Sequence, residues 1–404
     1  MKMLHTSDWH LGRTLYQRRR YDEFSAFLTW LAEEIETRNP DLLLVAGDIF
    51  DTTAPSHRAQ ELYYSFLCRI STRCPHIVIV GGNHDSPSFL NAPKTVLKAL
   101  HVHVVGAMDS ANELLVCKDA NGNIEAIVCA VPYLRARDLR QTEAGESFDA
   151  KRAKLTEGFR EHYRQIAEQA EKQRGDLHFP IIGTGHCFAA GGKTTDDDGV
   201  RDLTVGSLDH IEATTFPAIF DYLALGHLHV PQKVAGSDTM RYSGSPIPMG
   251  FGEAKQQKII LEIDFDGPTP TVSEIPIPCF QPLQRISGEL EEILAALKQL
   301  KLENSTAWLE IEYAGDERVP DLRNQIETAI EGSNLEIRRI QNRRIMNRVL
   351  ERIDTAETLD DLAPADVFAR CLEAHEIPET QRPALTAAYT EIIQTLEEAD
   401  PNAE

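Results

Sequence analysis

Short apolar segments recur along the N-terminal part of the chain, and each ends in glycine or polar residues. Residues 41–46 are nearly all apolar, which is the pattern of a strand covered on both faces in an α/β sheet. Segments 3–5, 76–80, 180–184 and 221–225 have a similar character and predict further strands. The pattern therefore indicates an α/β protein with a largely buried sheet.

Helical periodicity fills the intervals between these strands. An apolar stripe predicts a helix over residues 21–37, and a second helix is predicted over 59–70. The charged segment 149–174 is also helical in pattern, and we interpret it as an insertion on the surface. Weaker strands, which either continue the sheet or form a second one, are predicted at 102–105, 114–116, 124–131, 240–242 and 258–264.

The C-terminal part has a different organisation. A group of prolines between residues 268 and 278 marks a boundary, and residues 281–342 then alternate strand, helix, strand, helix, strand. This order predicts a small α/β module. A charged segment, 343–363, leads to two C-terminal helices, and the second has an apolar stripe. The stripe consists of Leu385, Tyr389, Ile392, Ile393 and Leu396. We therefore predict three parts, 1–275, 276–342 and 343–404.

Composition is that of a soluble globular protein, with 42% apolar and 26% charged residues. No stretch of about 18 uncharged apolar residues occurs, which excludes a membrane-spanning helix of the usual kind. Charge and histidine appear too early at the N-terminus for a secretory signal. Seven cysteines without CxxC spacing favour a reducing compartment. We expect a cytoplasmic protein without a membrane segment.

The net charge of −22 argues against simple binding to nucleic acid through neutralised phosphates. Two clusters of positive charge occur in this acidic chain. One consists of Arg13 with residues 18–20, and the other of Arg135, Arg137 and Arg140. Each cluster either contacts phosphates or is a solvated surface. Bound divalent cations would also offset carboxylates locally, so the global charge does not decide the matter.

Five predicted strand ends carry Asp, Asn or His beside glycine or serine. In open α/β sheets the ligand crevice lies at the carboxyl ends of the strands. Seven side chains are therefore candidate metal ligands: Asp8, His10, Asp48, Asn83, His186, His227 and His229. Seven are too many for one tetrahedral zinc but suit two ions that share a carboxylate. The mixture of imidazole, carboxylate and amide favours manganese, iron or zinc over magnesium.

Some of these residues also have simpler interpretations. Asp48 either ligates a metal or caps the helix that begins near residue 55. Asp8 and His10 are two apart, so an extended backbone would place both on one face, where they could address one ion. The same spacing gives the same expectation for His227 and His229.

The motifs at these strand ends resemble those of a known family. Asp8-x-His10, Gly47-Asp48-x-x-Asp51, Gly82-Asn83-His84-Asp85, Gly185-His186 and Gly226-His227-x-His229 are similar to the five signatures of the calcineurin-like metallophosphoesterases. Residues 4–12, 45–51 and 242–248 resemble the nuclease members of that family most closely. The resemblance covers most of the chain. It implies a four-layer α-β-β-α sandwich, with a small α/β capping domain and C-terminal helices.

The resemblance also assigns roles at the site. It implies that one metal is held by Asp8, His10, Asp48 and His229, and the other by Asp48, Asn83, His186 and His227. Asp48 would then bridge the two ions. His84 resembles the family's non-ligand catalytic histidine, and the departing sugar oxygen of a phosphodiester does need a proton or charge stabilisation. Asp85 either orients the His84 ring or caps the following helix.

The function implied is a metal-dependent DNA nuclease, acting as a double-strand exonuclease and as a single-strand and hairpin endonuclease in DNA end processing, repair and recombination. Two divalent ions, with Mn²⁺ preferred, would activate water. The implied partners are DNA, a coiled-coil ATPase on which the C-terminal helices dock, and a second copy in a homodimer within a heterotetramer, through helices near 56–70 and 87–100. The C-terminal helices could instead fold back on the protein.

Two other functions stay open. One is a phosphatase acting on small phosphomonoesters or phosphoproteins, and the other is a metal-binding scaffold without turnover. The complete ligand set with His84 argues against the scaffold. The capping module, the C-terminal stripe and the arginine-rich loop at 13–20 argue against the phosphatase.

Overall fold

The computed structural model describes residues 1–140, 147–189, 191–194, 211–315, 319–342, 368–369, 372, 377–379 and 381–389, and the statements below refer to these residues. The chain divides into two units, with the division between Leu283 and Gln284. In chain order, the strands of the first unit are β1 (Lys2–Thr6), β2 (Thr14–Leu15), β3 (Arg18–Arg19), β4 (Leu42–Ala46), β5 (His76–Val80), β6 (Val102–Val105), β7 (Leu114–Lys118), β8 (Ile124–Cys129), β9 (Ile181–His186), β10 (Tyr222–Gly226), β11 (Gln232–Lys233), β12 (Met240–Tyr242), β13 (Ile259–Asp266) and β14 (Thr269–Pro276). Its helices are α1 (Tyr21–Arg38), α2 (His57–Ile70), α3 (Pro87–Asn91), α4 (Lys94–Lys98), α5 (Ala136–Leu139) and α6 (Phe148–Arg174).

Twelve of these strands form two six-stranded sheets. The first has the order β14-β13-β1-β4-β5-β6, in which β1, β4, β5 and β6 run parallel. The second has the order β11-β12-β10-β9-β8-β7, in which β12, β10, β9 and β8 run parallel. The carboxyl ends of the parallel strands therefore lie together at one edge of each sheet.

The alternation of side chains along the central strands explains the layers. In β4, Leu43 and Val45 belong to the core that packs against α1 and α2, whereas Leu42 and Leu44 face the second sheet. A separate core lies between the second sheet and α6. The predicted four-layer α-β-β-α sandwich is thus confirmed.

The interpretation of residues 149–174 as a surface insertion was wrong. Helix α6 forms an outer layer, and Phe159, Tyr163, Ile166 and Ala170 from it are buried in the core of the second sheet. The segment looks superficial in sequence because only one stripe of a long helix faces the sheet, and the other faces are charged.

The second unit begins at the second residue of β15 (Leu283–Gly288) and continues with α7 (Leu290–Leu302), β16 (Trp308–Tyr313), α8 (Leu322–Ile330) and β17 (Glu336–Asn342). The strands form a three-stranded sheet with β16 in the centre, and side chains of α7, α8 and β16 form its core. The predicted order of five elements is confirmed.

The prediction for the C-terminal helices falls largely outside the described residues. Residues 382–389 are helical, and Leu385 of the predicted stripe is 40% exposed. The three stripe residues Ile392, Ile393 and Leu396 lie outside the described part. No helix of the described chain has the length and apolar character needed to cross a membrane.

Candidate metal centre

The seven predicted ligands lie at the carboxyl ends of parallel strands, six in the loops that follow and one as the last residue of its strand. Asp8 and His10 follow β1, Asp48 follows β4 and Asn83 follows β5 in the first sheet. In the second sheet, His186 ends β9, while His227 and His229 follow β10. Six of the seven side chains are buried, and Asn83 is half-buried. Both sheets therefore contribute polar groups to one enclosed centre.

The loops have unusual backbone angles. Asp8, His10 and Asp48 have φ values of 54°, 47° and 49°, and His227 has 101°. Residues other than glycine rarely adopt positive φ, and such angles concentrate at functional sites. The premise of an extended backbone at these positions was therefore wrong, although Asp8 and His10 still lie in one group of potential ligands.

The other two residues spaced two apart, His227 and His229, lie in different groups of potential ligands. His229 belongs with Asp8 and His10, whereas His227 belongs with Asp48 and His186. The expectation that their spacing would direct both rings to one ion was wrong, because the backbone turns through positive φ at His227. Within each group, the potential ligand atoms lie within 4.8 Å of one another.

Asp48 lies between the two groups. Its Oδ2 is 3.5 Å from Nε2 of His10 and 3.2 Å from Nε2 of His186. Its Oδ1 accepts a hydrogen bond from the backbone N–H of His84 at 2.9 Å, which fixes the carboxylate. The alternative role as a helix cap was wrong, because Ser56 caps α2. The geometry is that expected of a shared carboxylate.

The surroundings of His186 suit a cation. Its Nδ1 lies 3.0 Å from the carbonyl oxygen of Ala46, and because a carbonyl only accepts, Nδ1 carries the hydrogen. In the neutral ring Nε2 presents a lone pair, yet it faces Asn83 Oδ1 at 3.0 Å and Asp48 Oδ2 at 3.2 Å. Three electron-pair donors this close together need either a hydrogen on Nε2 or a cation among them. A set of imidazole, carboxylate and amide donors fits a divalent metal ion.

The electrostatics of the centre agree with this requirement. Burial lowers the pKa of His10 to about 4 and that of His227 to about 3, so both rings are neutral at pH 7 and offer lone pairs. Burial opposes ionisation of Asp48, but His186 and His10 outweigh it and hold its pKa well below the usual range. Burial likewise disfavours a charged His186, but Asp48 outweighs it and raises the pKa of that ring to about 9.

His84 occupies the more open side of the centre. Its Nδ1 lies 2.8 Å from the carbonyl oxygen of Asp51, which orients the ring and leaves Nε2 for other contacts. The ring is half-buried and packs edge to face on His10 at a centroid distance of 4.8 Å. Potential ligand atoms of His84, His10 and Asp48 also lie within 4.8 Å of one another.

Asp85 has neither of the two roles considered for it. Its carboxylate is buried and accepts hydrogen bonds from the backbone N–H groups of Ile49, Phe50 and Gly82 at 2.9–3.1 Å. Ser86 is the residue that caps α3. Asp85 therefore ties the loop after β5 to the loop that carries Asp48.

The structure places two carboxylates beside ring nitrogens of predicted histidine ligands, a role that the sequence did not predict for either. Asp51, known only as part of a motif, places Oδ1 3.2 Å from Nδ1 of His10. Glu253 places Oε1 3.7 Å from Nδ1 of His229. Such partners of the second ring nitrogen orient metal-binding histidines. Asp51 could have been predicted, because it belongs to the Gly47-Asp48-x-x-Asp51 motif. Glu253 could not, because it lies 24 residues beyond His229 and in none of the motifs.

Gly82 offers a test of how tightly the centre is built. A Cβ at this position would lie 2.1 Å from Oδ1 and 2.3 Å from the backbone nitrogen of Asp48. We expect Gly82→Ala to displace Asp48 and to lower Mn²⁺ binding at least tenfold in calorimetric titration. Gly122→Ala is the control: Gly122 has a φ of 86°, so the change strains a turn, but a Cβ there meets nothing within 4 Å. Equal Mn²⁺ binding by the two variants would contradict the close approach.

Comparison with known proteins identifies the family. The family model described as calcineurin-like phosphoesterase matches residues 1–231, which include all seven predicted ligands. The chain belongs to this family. As a calcineurin-like phosphoesterase it is a hydrolytic enzyme that uses divalent metal ions. A second model, described as the type 5 capsule protein repressor C-terminal domain, matches residues 279–376.

Curated relatives of this phosphoesterase match between 77% and 98% of the chain. The SbcD subunit of the nuclease SbcCD from Escherichia coli (strain K12) is 35% identical over 399 residues, which cover 98% of each chain. Its namesake in Rhodobacter capsulatus is 34% identical and covers 83% of this chain and 86% of its own. That of Bacillus subtilis (strain 168) is 32% identical and covers 77% and 78%.

Proposed function

We propose that this phosphoesterase is a DNA nuclease that hydrolyses phosphodiester bonds with two Mn²⁺ ions. The observation that carries the proposal is the likeness to proteins named as a subunit of the nuclease SbcCD, which extends over 98% of the chain. It therefore includes the second unit as well as the metal centre. We keep the predicted division into a nuclease domain (1–275), a capping domain (276–342) and a C-terminal segment (343–404) as part of the proposal.

The seven predicted ligands have separate tasks in this proposal. One ion would be held by Asp8, His10, Asp48 and His229, and the other by Asp48, Asn83, His186 and His227. When bound, the two ions would polarise the phosphoryl oxygens and lower the pKa of a water molecule. Asp48 would fix the spacing of the two positions, since its Oδ2 faces both groups.

His84 would act on the leaving group. Because Nδ1 donates to the Asp51 carbonyl, the second hydrogen of the imidazolium form lies on Nε2, which would give this proton to the departing sugar oxygen and leave the ring neutral. Arg13 lies near His84, because both contact Asp51: Nη1 of Arg13 is 3.4 Å from Oδ1 of Asp51. The short β2–β3 hairpin next to it exposes Arg18 and Arg19, which suits contact with a phosphate backbone.

Substrate class can be tested by a side-by-side assay. Linear duplex DNA and p-nitrophenyl phosphate are incubated with the full chain and Mn²⁺, and Asp48→Asn prepared in parallel reveals any contaminating nuclease. We expect DNA cleavage that depends on Mn²⁺ and is absent in Asp48→Asn. Efficient hydrolysis of the monoester without DNA cleavage would favour the phosphatase instead.

We further propose that the protein works with an SbcC-type coiled-coil ATPase, as a homodimer within a heterotetramer, in the cytoplasm. The six cysteines of the described chain are all free, in agreement with a reducing compartment. Helices α2, α3 and α4 are the proposed dimer surface, on which Val96 is 70% exposed. The C-terminal helices would dock on the ATPase as a helix docks in a groove.

The docking proposal predicts the effect of a truncation. Deleting residues 364–404 is expected to abolish copurification with the ATPase, because the apolar stripe lies in this segment. Mn²⁺ binding should be unchanged, since every predicted ligand lies before residue 230. Both are measured on the coexpressed pair, and a complex that survives the deletion would contradict the docking role.

A further inference from the structure

We propose that Glu253 is a positioning residue for His229 and sets the ring so that its Nε2 faces the metal. The inference concerns the metal centre of the proposed function and rests on it. His229 Nε2 lies 3.1 Å from Nε2 of His10, at the centre, whereas its Nδ1 lies 3.7 Å from Oε1 of Glu253. Both side chains are buried, with exposed fractions of 2% and 0%.

The two oxygens of Glu253 have different surroundings. Oε2 accepts from Lys258 Nζ, from the backbone N–H of Met249 at 3.0 Å and from Ser245 Oγ at 3.4 Å. Oε1, although buried, has no hydrogen-bond partner in the described chain. A buried acceptor without a donor is costly, and Nδ1 of His229 lies 3.7 Å from this oxygen. The carboxylate is thus held through one oxygen and presents the other to the ring.

A carboxylate in this place selects one form of the imidazole. An anionic acceptor beside Nδ1 favours the hydrogen on that atom and so leaves the lone pair on Nε2. Lys258 reinforces the arrangement, because its Nζ also donates to the backbone carbonyl of His229 at 3.0 Å. The buried Glu253–Lys258 pair therefore fixes both the ring and the backbone of one predicted ligand.

The alternative is that Glu253 only neutralises Lys258. A matched control distinguishes the two roles, because Glu23 is also a buried carboxylate and pairs with buried Arg20 at 2.6 and 2.9 Å. Within the described residues, the hydrogen bonds and the ion pair of the Glu23 carboxylate are with Arg20, not with a histidine. Glu23→Gln removes a buried ion pair of the same kind without changing the environment of His229.

The test compares Mn²⁺ binding by the full-length variants. We expect Glu253→Gln to weaken binding of one of the two ions by about 10- to 100-fold in calorimetric titration, the usual effect of losing such a partner. Glu23→Gln should bind both ions as the unmodified chain does. The ¹⁵N spectrum of the His229 ring in metal-free protein should show hydrogen on Nδ1, and in Glu253→Gln a mixture of both ring forms. Equal Mn²⁺ affinities for the two variants would overturn the proposal.

A double variant covers the case in which Glu253→Gln leaves Lys258 buried without an anion and unfolds. Glu253→Gln with Lys258→Met removes both charges and should restore the thermal midpoint. We expect its affinity for one Mn²⁺ to remain about 10- to 100-fold weaker, whereas a return to the original affinity would overturn the proposal. An unmodified chain that binds two Mn²⁺ ions but does not cut DNA would contradict the proposed function and leave this inference intact.

Discussion

Asp48→Asn is expected to abolish binding of both metal ions and, with them, DNA hydrolysis. The carboxylate of Asp48 lies within 3.5 Å of a histidine from each ligand group, so its loss affects both positions together. Asparagine has the same size but removes the negative charge that the surrounding imidazoles stabilise. We expect occupancy by Mn²⁺, measured by elemental analysis after equilibrium dialysis, to fall from two ions to fewer than one.

Single-histidine variants provide the comparison. His10 lies in the group with Asp8 and His229, and His186 lies in the group with His227. His10→Asn and His186→Asn should therefore each weaken one ion while retaining the other. Circular dichroism spectra of all three variants should match that of the unmodified chain. Two ions retained by Asp48→Asn would place the shared ligand elsewhere.

His84→Ser is expected to separate metal binding from catalysis. We expect DNA cleavage to fall by about 10²–10⁴-fold, the usual contribution of a general acid, while both Mn²⁺ ions remain bound. The reason is that Nδ1 of His84 is held by the Asp51 carbonyl and that the ring lies on the open side of the centre. Cleavage rates and manganese content are measured on the same preparation.

The outcome also decides between two roles for this ring. His84 lies near enough to His10 and Asp48 for the three to form a potential ligand group of their own. If His84→Ser loses Mn²⁺ and activity in equal measure, the residue is a ligand and not a proton donor. Asn83→Ala shows what the loss of a predicted ligand does to metal content and activity. Asn83 Oδ1 lies 3.0 Å from Nε2 of His186 and 3.0 Å from Nδ1 of His227.

Much of the fold could be predicted because the central strands are buried on both faces. The apolar runs that became β4, β5, β9 and β10 are short, and each is followed by polar residues beside glycine. That pattern predicts that the polar side chains of the site lie together at one edge of a sheet. It also located all seven residues that the structure brings together, since the motif signatures are local in sequence.

What could not be predicted depends on contacts between distant segments. The backbone N–H of His227 donates to Asp8 Oδ1 at 2.8 Å across 219 residues, and this contact accompanies the turn that separates His227 from His229. Glu253 approaches His229 only because the chain returns past β12 to the centre. Helix α6 was misjudged because a single buried stripe is hard to recognise in a segment of low hydropathy.

Anomalous diffraction from crystals grown with Mn²⁺ tests the dinuclear centre most directly. We expect two peaks about 3.5–4 Å apart, the separation usual in two-metal phosphatases, with a carboxylate oxygen of Asp48 in contact with both. Asp8, His10 and His229 should surround one peak, and Asn83, His186 and His227 the other. A single peak, or two peaks that do not share Asp48, would contradict the two-metal centre.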